Sequence, residues 1–143
     1  MDDAVRRLFD RYQAFFARAL AGDQDEEVAA SLYTPEFIAA SAQGVRAGRM
    51  DEEFRQAMAQ GYARYRAIGT KAMQLRQVRV TRIDAHHAVA QVGWRATYAR
   101  DDLPRTTIDF DVHYLVQVKD GEARVFGWIT GDEDVVLRRH GVI

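Results

Sequence analysis

Apolar residues recur at three- and four-residue steps over 3–21, where Val5, Leu8, Tyr12, Phe15 and Ala19 form one stripe with Phe9, Phe16 and Leu20 beside it. That period predicts an amphipathic helix. Asp2 or Asp3 supplies a capping oxygen at its start, and Gly22 is placed to stop it as a C′ glycine. Asp23 is then read as the cap of a shorter helix running to about Leu32, with Asp25, Glu26 and Glu27 in its first turn, where the helix dipole favours negative charge. Pro35 breaks this pattern and pushes Thr34 towards extended geometry. Residues 37–42 read as a short strand, Gln43-Gly44 as a turn and 45–49 as its return. A third helix begins at Asp51, carries the stripe Phe54, Met58, Gly61, Tyr65 and Ile68, and ends at Gly69.

From Thr70 onward the period changes to two. Residues 71–84, 86–99, 105–118 and 122–130 read as four strands, separated by Asp84-Ala85, by Asp101-Asp102-Leu103-Pro104 and by Asp120-Gly121. Asp-Gly between two alternating runs is a strong hairpin signal, because both turn residues tolerate positive φ. Helices followed by a long meander predict one α+β domain: three N-terminal helices packed on the concave face of a strongly curved, mostly antiparallel mixed sheet. Strands of about 14 residues cannot stay flat, since each step adds right-handed twist. The sheet must coil, and helices must fill its hollow. Such a cone has an interior, and a true ligand pocket there would measure about 300–1,000 Å³.

Composition adds mostly exclusions. The 143 residues are 48% hydrophobic, ample for a single core, and a net charge of −1 gives no field to attract nucleic acid or an anionic membrane. Eighteen of the 20 cationic residues are Arg, but they are scattered along the chain and read as ion-pair partners. The absence of Cys removes disulfides, thiolate metal sites and a cysteine nucleophile together. No run approaches a membrane helix, and the charged start Met1-Asp2-Asp3 is unlike a signal peptide, so a cytoplasmic protein is the expectation. No glycine-rich phosphate loop, G-x-S-x-G elbow or H-E-x-x-H motif occurs. Asp109, Asp111 and His113 alternate on one strand face in a pattern that also suits a divalent ion, but neither a cofactor nor a metal is expected.

The helix ending in Ala21-Gly22-Asp23, then Leu32-Tyr33 before a short strand, resembles the nuclear transport factor 2-like superfamily, which has a cystatin-like cone and includes ketosteroid isomerase, scytalone dehydratase and small polyketide cyclases. Gly44-Val45-Arg46-Ala47-Gly48-Arg49 ahead of the third helix and the closing hairpin Val112-His113-Tyr114-Leu115-Val116 to Asp120-Gly121 carry the same resemblance, which covers essentially the whole chain. It implies the fold strongly and the chemistry weakly, because this cone hosts many reactions. Placed on the isomerase pattern, the hydrogen-bonding tyrosine falls on Phe15, the general base on Ser41 and the protonated aspartate on Val112. The resemblance therefore implies that the isomerase's catalytic positions are lost. The convex side of the sheet carries Gln91, Arg95, Thr97, Asp111 and Leu115 in a semi-polar band that can pair with itself across a two-fold axis, so a homodimer is expected, and the resemblance adds to that expectation.

Two functional classes remain open. In the first, the cone binds a small apolar or aromatic molecule, with Tyr12, Ser41, Tyr65, Trp94, Tyr98, Phe110, Tyr114 and Trp128 as its lining. Polar-tipped aromatics suit that task because each combines apolar area with one hydrogen-bonding group. Residues 132–137 are placed to fold over the mouth as a lid. In the second, the protein is a lyase, isomerase or cyclase for a small cyclic or polyketide-like substrate, with Asp111 and His113 as the acid–base pair. Strand alternation discriminates between them. If Ile108, Phe110, Val112 and Tyr114 face the interior, then Asp109, Asp111 and His113 face outward; a bulge between Arg105 and Asp111 would reverse that phase. His86 and His87 are adjacent and point to opposite faces, so they cannot share an ion, and His140 reads as solvated.

Overall fold

A computed structural model describes residues 1–143. The chain runs α1 (Asp2–Leu20), α2 (Glu26–Leu32), β1 (Tyr33–Ser41), β2 (Gly44–Arg49), α3 (Glu52–Ala67), β3 (Thr70–Arg82), β4 (His87–Arg100), β5 (Leu103–Lys119), β6 (Glu122–Ile129) and α4 (Glu133–Arg139). The six strands form one sheet in the order β2-β1-β6-β5-β4-β3. All neighbours are antiparallel except β1 and β6, which are parallel. This is the α+β curved mixed sheet that the pattern predicts, with a fourth helix added after the last strand.

Local chemistry sets most boundaries. Gly22 takes φ +92 at the end of α1 and Gly69 takes φ +89 after α3, backbone that costs glycine little. The Asp51 carboxylate accepts from Phe54 N–H at 2.9 Å and starts α3. Asp120 and Gly121, with φ of +53 and +78, close the β5–β6 hairpin with both central residues at positive φ, as the Asp-Gly pair predicts.

Three expectations need correction. Met1 is the N-cap of α1 and no side chain caps it; the Asp2 carboxylate turns instead to Arg82 at 2.9 Å. The cap of α2 is Asp25, whose carboxylate reaches the amides of Glu27 and Val28 at 3.0 and 3.2 Å, while Asp23 is held by Arg18 at 2.8 Å. Finally, β1 begins at Tyr33 and runs through Pro35. Proline is tolerated there because the pairing with β6 shifts register between Tyr33 and Ile38, so no regular ladder bond needs its missing N–H.

The core lies between the sheet's concave face and α1, which packs on β3 and β6. Val5, Leu8 and Phe9 of α1 are fully buried, as are Ala90, Val92 and Ala96 of β4. On β5 the residues Ile108, Val112, Tyr114 and Val116 are buried, whereas Asp109, Asp111 and His113 are exposed. The β4–β5 register is unbroken from Tyr98↔Thr106 to His87↔Gln117, so no bulge reverses the phase. No helix is long and apolar enough to cross a membrane.

Candidate functional site

The concave side of the sheet does not fill completely. A cavity of about 420 Å³ remains, lined by 24 residues of which 18 are hydrophobic. Its walls are α1 through Tyr12 and Phe16, α3 through Met58, Gly61, Tyr62 and Tyr65, and the inner faces of β4, β5 and β6. The N-terminal part of α4 forms the mouth, where Glu133, Val136 and Leu137 contribute; Leu137 is buried. Gln43 reaches Asp132 at 3.1 Å and Arg64 reaches Asp134 at 2.8 Å, so side chains from two separate elements hold this cover in place.

Seven of the eight residues proposed as lining from sequence border this volume: Tyr12, Tyr65, Trp94, Tyr98, Phe110, Tyr114 and Trp128. Ser41 does not. It closes the β1–β2 hairpin, where its hydroxyl donates to Gln43 Oε1 at 2.9 Å and accepts from the Gln43 amide at 3.2 Å. The tight turn claims the serine for its own backbone, as Ser commonly does.

The proposed acid–base pair is also displaced. Asp111 is among the residues lining the cavity, and its carboxylate accepts from Gln91 Nε2 at 3.0 Å. His113 is exposed on the same outer face. Asp111 thus borders the cavity with its carboxylate paired to Gln91, and His113 lies outside the lining, so the two do not come together as an acid–base pair within it. Beside them, Arg95 forks onto Asp109 at 2.8 and 3.0 Å and Arg76 adds a contact at 3.0 Å. The Arg95 hydrogen bonds hold the Asp109 carboxyl below the usual range. Thr97, expected in this band, is buried between Ala72 and Thr107 of the neighbouring strands.

Sequence reasoning missed Tyr33 and Tyr62 at the cavity, and placed Glu133 only in a lid over its mouth. Tyr33, the last residue before the helix-to-strand bend, donates its hydroxyl proton to Tyr12 at 2.9 Å. Tyr62 lies four residues after Met58, a spacing that marks it as a neighbour on the same helical face, and its ring stands 5.0 Å from Phe16. Glu133 accepts a long hydrogen bond of 3.4 Å from Tyr65. Although Glu133 keeps exposed surface, the protein packed about its carboxyl raises its pKa, and Asp134 adds to the rise; Tyr65 and Arg64 oppose it. Burial pushes the Tyr98 phenol up to about 12, with the Glu133 charge contributing.

Beside α1 the aromatics interlock. Trp94 Nε1 donates to the Tyr114 hydroxyl at 3.1 Å, and the Tyr12 ring lies 5.7 Å from Trp94 and 5.8 Å from Tyr114. Burial raises the Tyr12 and Tyr114 pKa values, so both phenols stay protonated donors near neutrality. Phe37, outside the lining, packs 5.2 Å from Trp128 and 4.6 Å from Phe54. Nowhere do three or more His, Asp or Glu side chains gather closely enough to hold a metal ion.

Solved structures share this architecture at low identity. A protein from Kribbella flavida superposes with a TM-score of 0.69 at 13% identity, covering 96% of each chain. An NTF2-like protein with a cystatin-like fold from Novosphingobium aromaticivorans gives 0.65 at 17% identity, covering 98% of this chain and 88% of its own. An NTF2-like protein of unknown function from Shewanella oneidensis gives 0.64 at 15% identity, covering 92% of this chain and 98% of its own. At such identities the likeness speaks for fold alone. No curated protein matches the chain. The family model described as NTF2-like protein (DUF6841) matches residues 2–133, nearly the whole cone, and the chain belongs to that family.

Proposed function

We propose that this domain binds a small apolar or aromatic molecule in the cavity beneath α4. The observation that carries the reading is the cavity itself: about 420 Å³ bordered by 24 residues, of which 18 are hydrophobic and six of those tyrosines. Apolar walls with a few convergent polar groups are the usual form of a small-molecule site, whereas a core evolved only for stability closes to native packing density. Native mass spectrometry of freshly purified protein is expected to show a co-purifying mass that is lost on denaturation. Apo protein alone, together with no thermal shift from a panel of one- to three-ring apolar compounds, would overturn the reading.

A second reading, proton transfer on such a ligand by a lyase, isomerase or cyclase, is favoured by Glu133. This carboxyl has a raised pKa at the mouth and is neither a helix cap nor forked to an arginine. Deuterium exchange at the α-carbon of a bound cyclic ketone, abolished by Glu133→Gln, is its expected signature; no exchange above the solution rate rejects it.

The outer face suits a second copy of the chain. Ile38 and Ile129 expose 46% and 51% of their surface beside the polar Gln91, Arg95 and Asp111, a mixture typical of two-fold interfaces. Light scattering at tens of micromolar is expected to return twice the 16.3 kDa chain mass; a monomer mass rejects the dimer.

A further inference from the structure

We infer that the molecule taken up by this cavity carries a positive charge on its apolar frame, as a tertiary or quaternary ammonium, with Glu133 as the counter-charge at the mouth; this rests on the binding reading above and deepens it. The rings are the first ground. Six tyrosines, three phenylalanines and two tryptophans border the volume. An aromatic face carries the negative lobe of the ring quadrupole, so a cation gains from each face within about 6 Å, and gains most where water is excluded. Tyr65 and Tyr98 stand closest in influence to Glu133: the first by hydrogen bond, the second because the Glu133 charge helps to raise its phenol pKa.

The charge balance of the lining is the second, independent ground. Over the whole chain 20 basic residues offset 21 acidic ones, yet the lining includes Asp111, Asp132 and Glu133 and no Arg, Lys or His. Elsewhere acids are matched: Asp2, Asp23, Asp102, Asp109 and Asp134 each form an ion pair with an arginine. None of the three lining acids does. Asp111 is taken by Gln91, and Asp132 caps α4 through the Val135 amide at 3.1 Å and accepts from Gln43. Glu133 has only the 3.4 Å bond from Tyr65, because Arg64 is committed to Asp134 at 2.8 Å. The protein packed about the Glu133 carboxyl penalises its ionised form, a penalty that an adjoining cation removes.

The same lining sorts the possible ligands. An anion would lose its hydration with no cation to compensate and with acids beside it. A metal ion needs three or more ligating side chains in one place, which the cavity lacks. An alkylated ammonium spreads its charge over carbon-bound hydrogens, so its methyl groups fill apolar space while the charge meets the ring faces.

Equilibrium dialysis against meta-hydroxyphenyl-trimethylammonium, meta-tert-butylphenol and meta-hydroxybenzenesulfonate tests this. The three share one phenol ring, and the first two have the same shape and differ only in charge. The ammonium should bind about tenfold tighter than tert-butylphenol, within the range that cation–π contacts reach away from water, with the sulfonate weakest. Glu133→Gln should cut that ratio about threefold and leave the affinity for tert-butylphenol unchanged; the residue is exposed, so the variant should fold. Gly61→Leu, which fills the cavity from α3, should abolish binding of both. Equal or tighter binding of tert-butylphenol, tightest binding by the sulfonate, a ratio indifferent to Glu133→Gln, or ammonium binding that alone survives Gly61→Leu overturns the inference while leaving the cavity a binding site. Failure of all three probes to bind overturns both.

Discussion

The inner face of the β4–β5 ribbon presents Val92, Trp94, Ile108, Val112 and Tyr114 to the helices, whereas the outer face of the same ribbon presents Gln91, Arg95, Asp109, Asp111 and His113. Both faces hold polar groups, and both satisfy them by cross-strand pairs: Trp94 with Tyr114 inside, Arg95 with Asp109 and Gln91 with Asp111 outside. The difference is what happens when a pair is broken. Outside, water replaces the lost partner. Inside it does so only where the cavity admits it, so each inner group depends on the protein or on a ligand. The face rich in charged residues is therefore the tolerant one, and the hydroxyl-bearing face is the one that loses most when a partner is removed.

The largest effect expected from this contrast is that of Trp94→Ala against its neighbour Arg95→Ala. Trp94 is 2% exposed and its removal should cost about 3–5 kcal/mol in denaturant unfolding. Arg95→Ala, on an exposed fork, should move the midpoint by a small fraction of that. Comparable losses at the two sites would break the comparison.

Next comes Gly48→Ala. A Cβ at Gly48 would lie 2.4 Å from the Phe37 ring, which packs on Trp128 and Phe54. The ring must shift, and a cost of about 1–3 kcal/mol is expected in thermal unfolding, the usual scale for overpacking.

Gly61→Leu sharpens the contrast in the opposite direction. Gly61 lines the cavity in mid-α3, and a Cβ there meets nothing within 4 Å. Stability should hold or rise by about 0.5–1 kcal/mol from helix propensity while ring compounds cease to bind. Unchanged binding would mean that the occupied site lies elsewhere.

The smallest effects are in pH. Burial raises the Glu133 pKa, so protonation favours the fold; that contribution is complete below the unfolded carboxyl value of about 4.3 and is lost as pH rises through the raised folded value. Glu133→Gln should therefore gain melting temperature relative to the parent across that window and match it below. Asp109 has the opposite sign: its Arg95 hydrogen bonds lower its pKa, so its contribution is present above the unfolded value and lost as pH falls through the lowered one. Asp109→Asn should flatten the acid side of the stability curve. Both slopes are readable by calorimetry.

Period and turn chemistry made most of this legible. The switch at Thr70, the Asp120-Gly121 turn and the alternation on β5 are local signals, and the inner placement of Trp94, Phe110 and Tyr114 follows from them. Ser41 was misplaced because an alignment fixes a position along a strand but not whether the adjoining turn has taken the hydroxyl. Asp23 and Asp25 offer the same carboxylate two residues apart, and which one caps depends on where Arg18 stands in three dimensions. Tyr33 and Glu133 reach the cavity through a register shift and a final short helix, features set by tertiary packing rather than by any repeat in the chain.

The parallel pairing of β1 with β6 has a consequence for how the molecule is made. Tyr33 and Val125 are neighbours in the sheet although nearly two-thirds of the 143-residue chain separates them, and the apolar face of α1 packs on β3 and β6. On a ribosome, the first helix and hairpin therefore emerge with no sheet to cover them and wait until β6 has been synthesised. Long-range strand pairing of this kind is slow, commonly milliseconds to seconds, because the loop must close before any contact rewards it. The interval is one in which Val5, Leu8 and Phe9, wholly buried at the end, are open to chaperones and to aggregation.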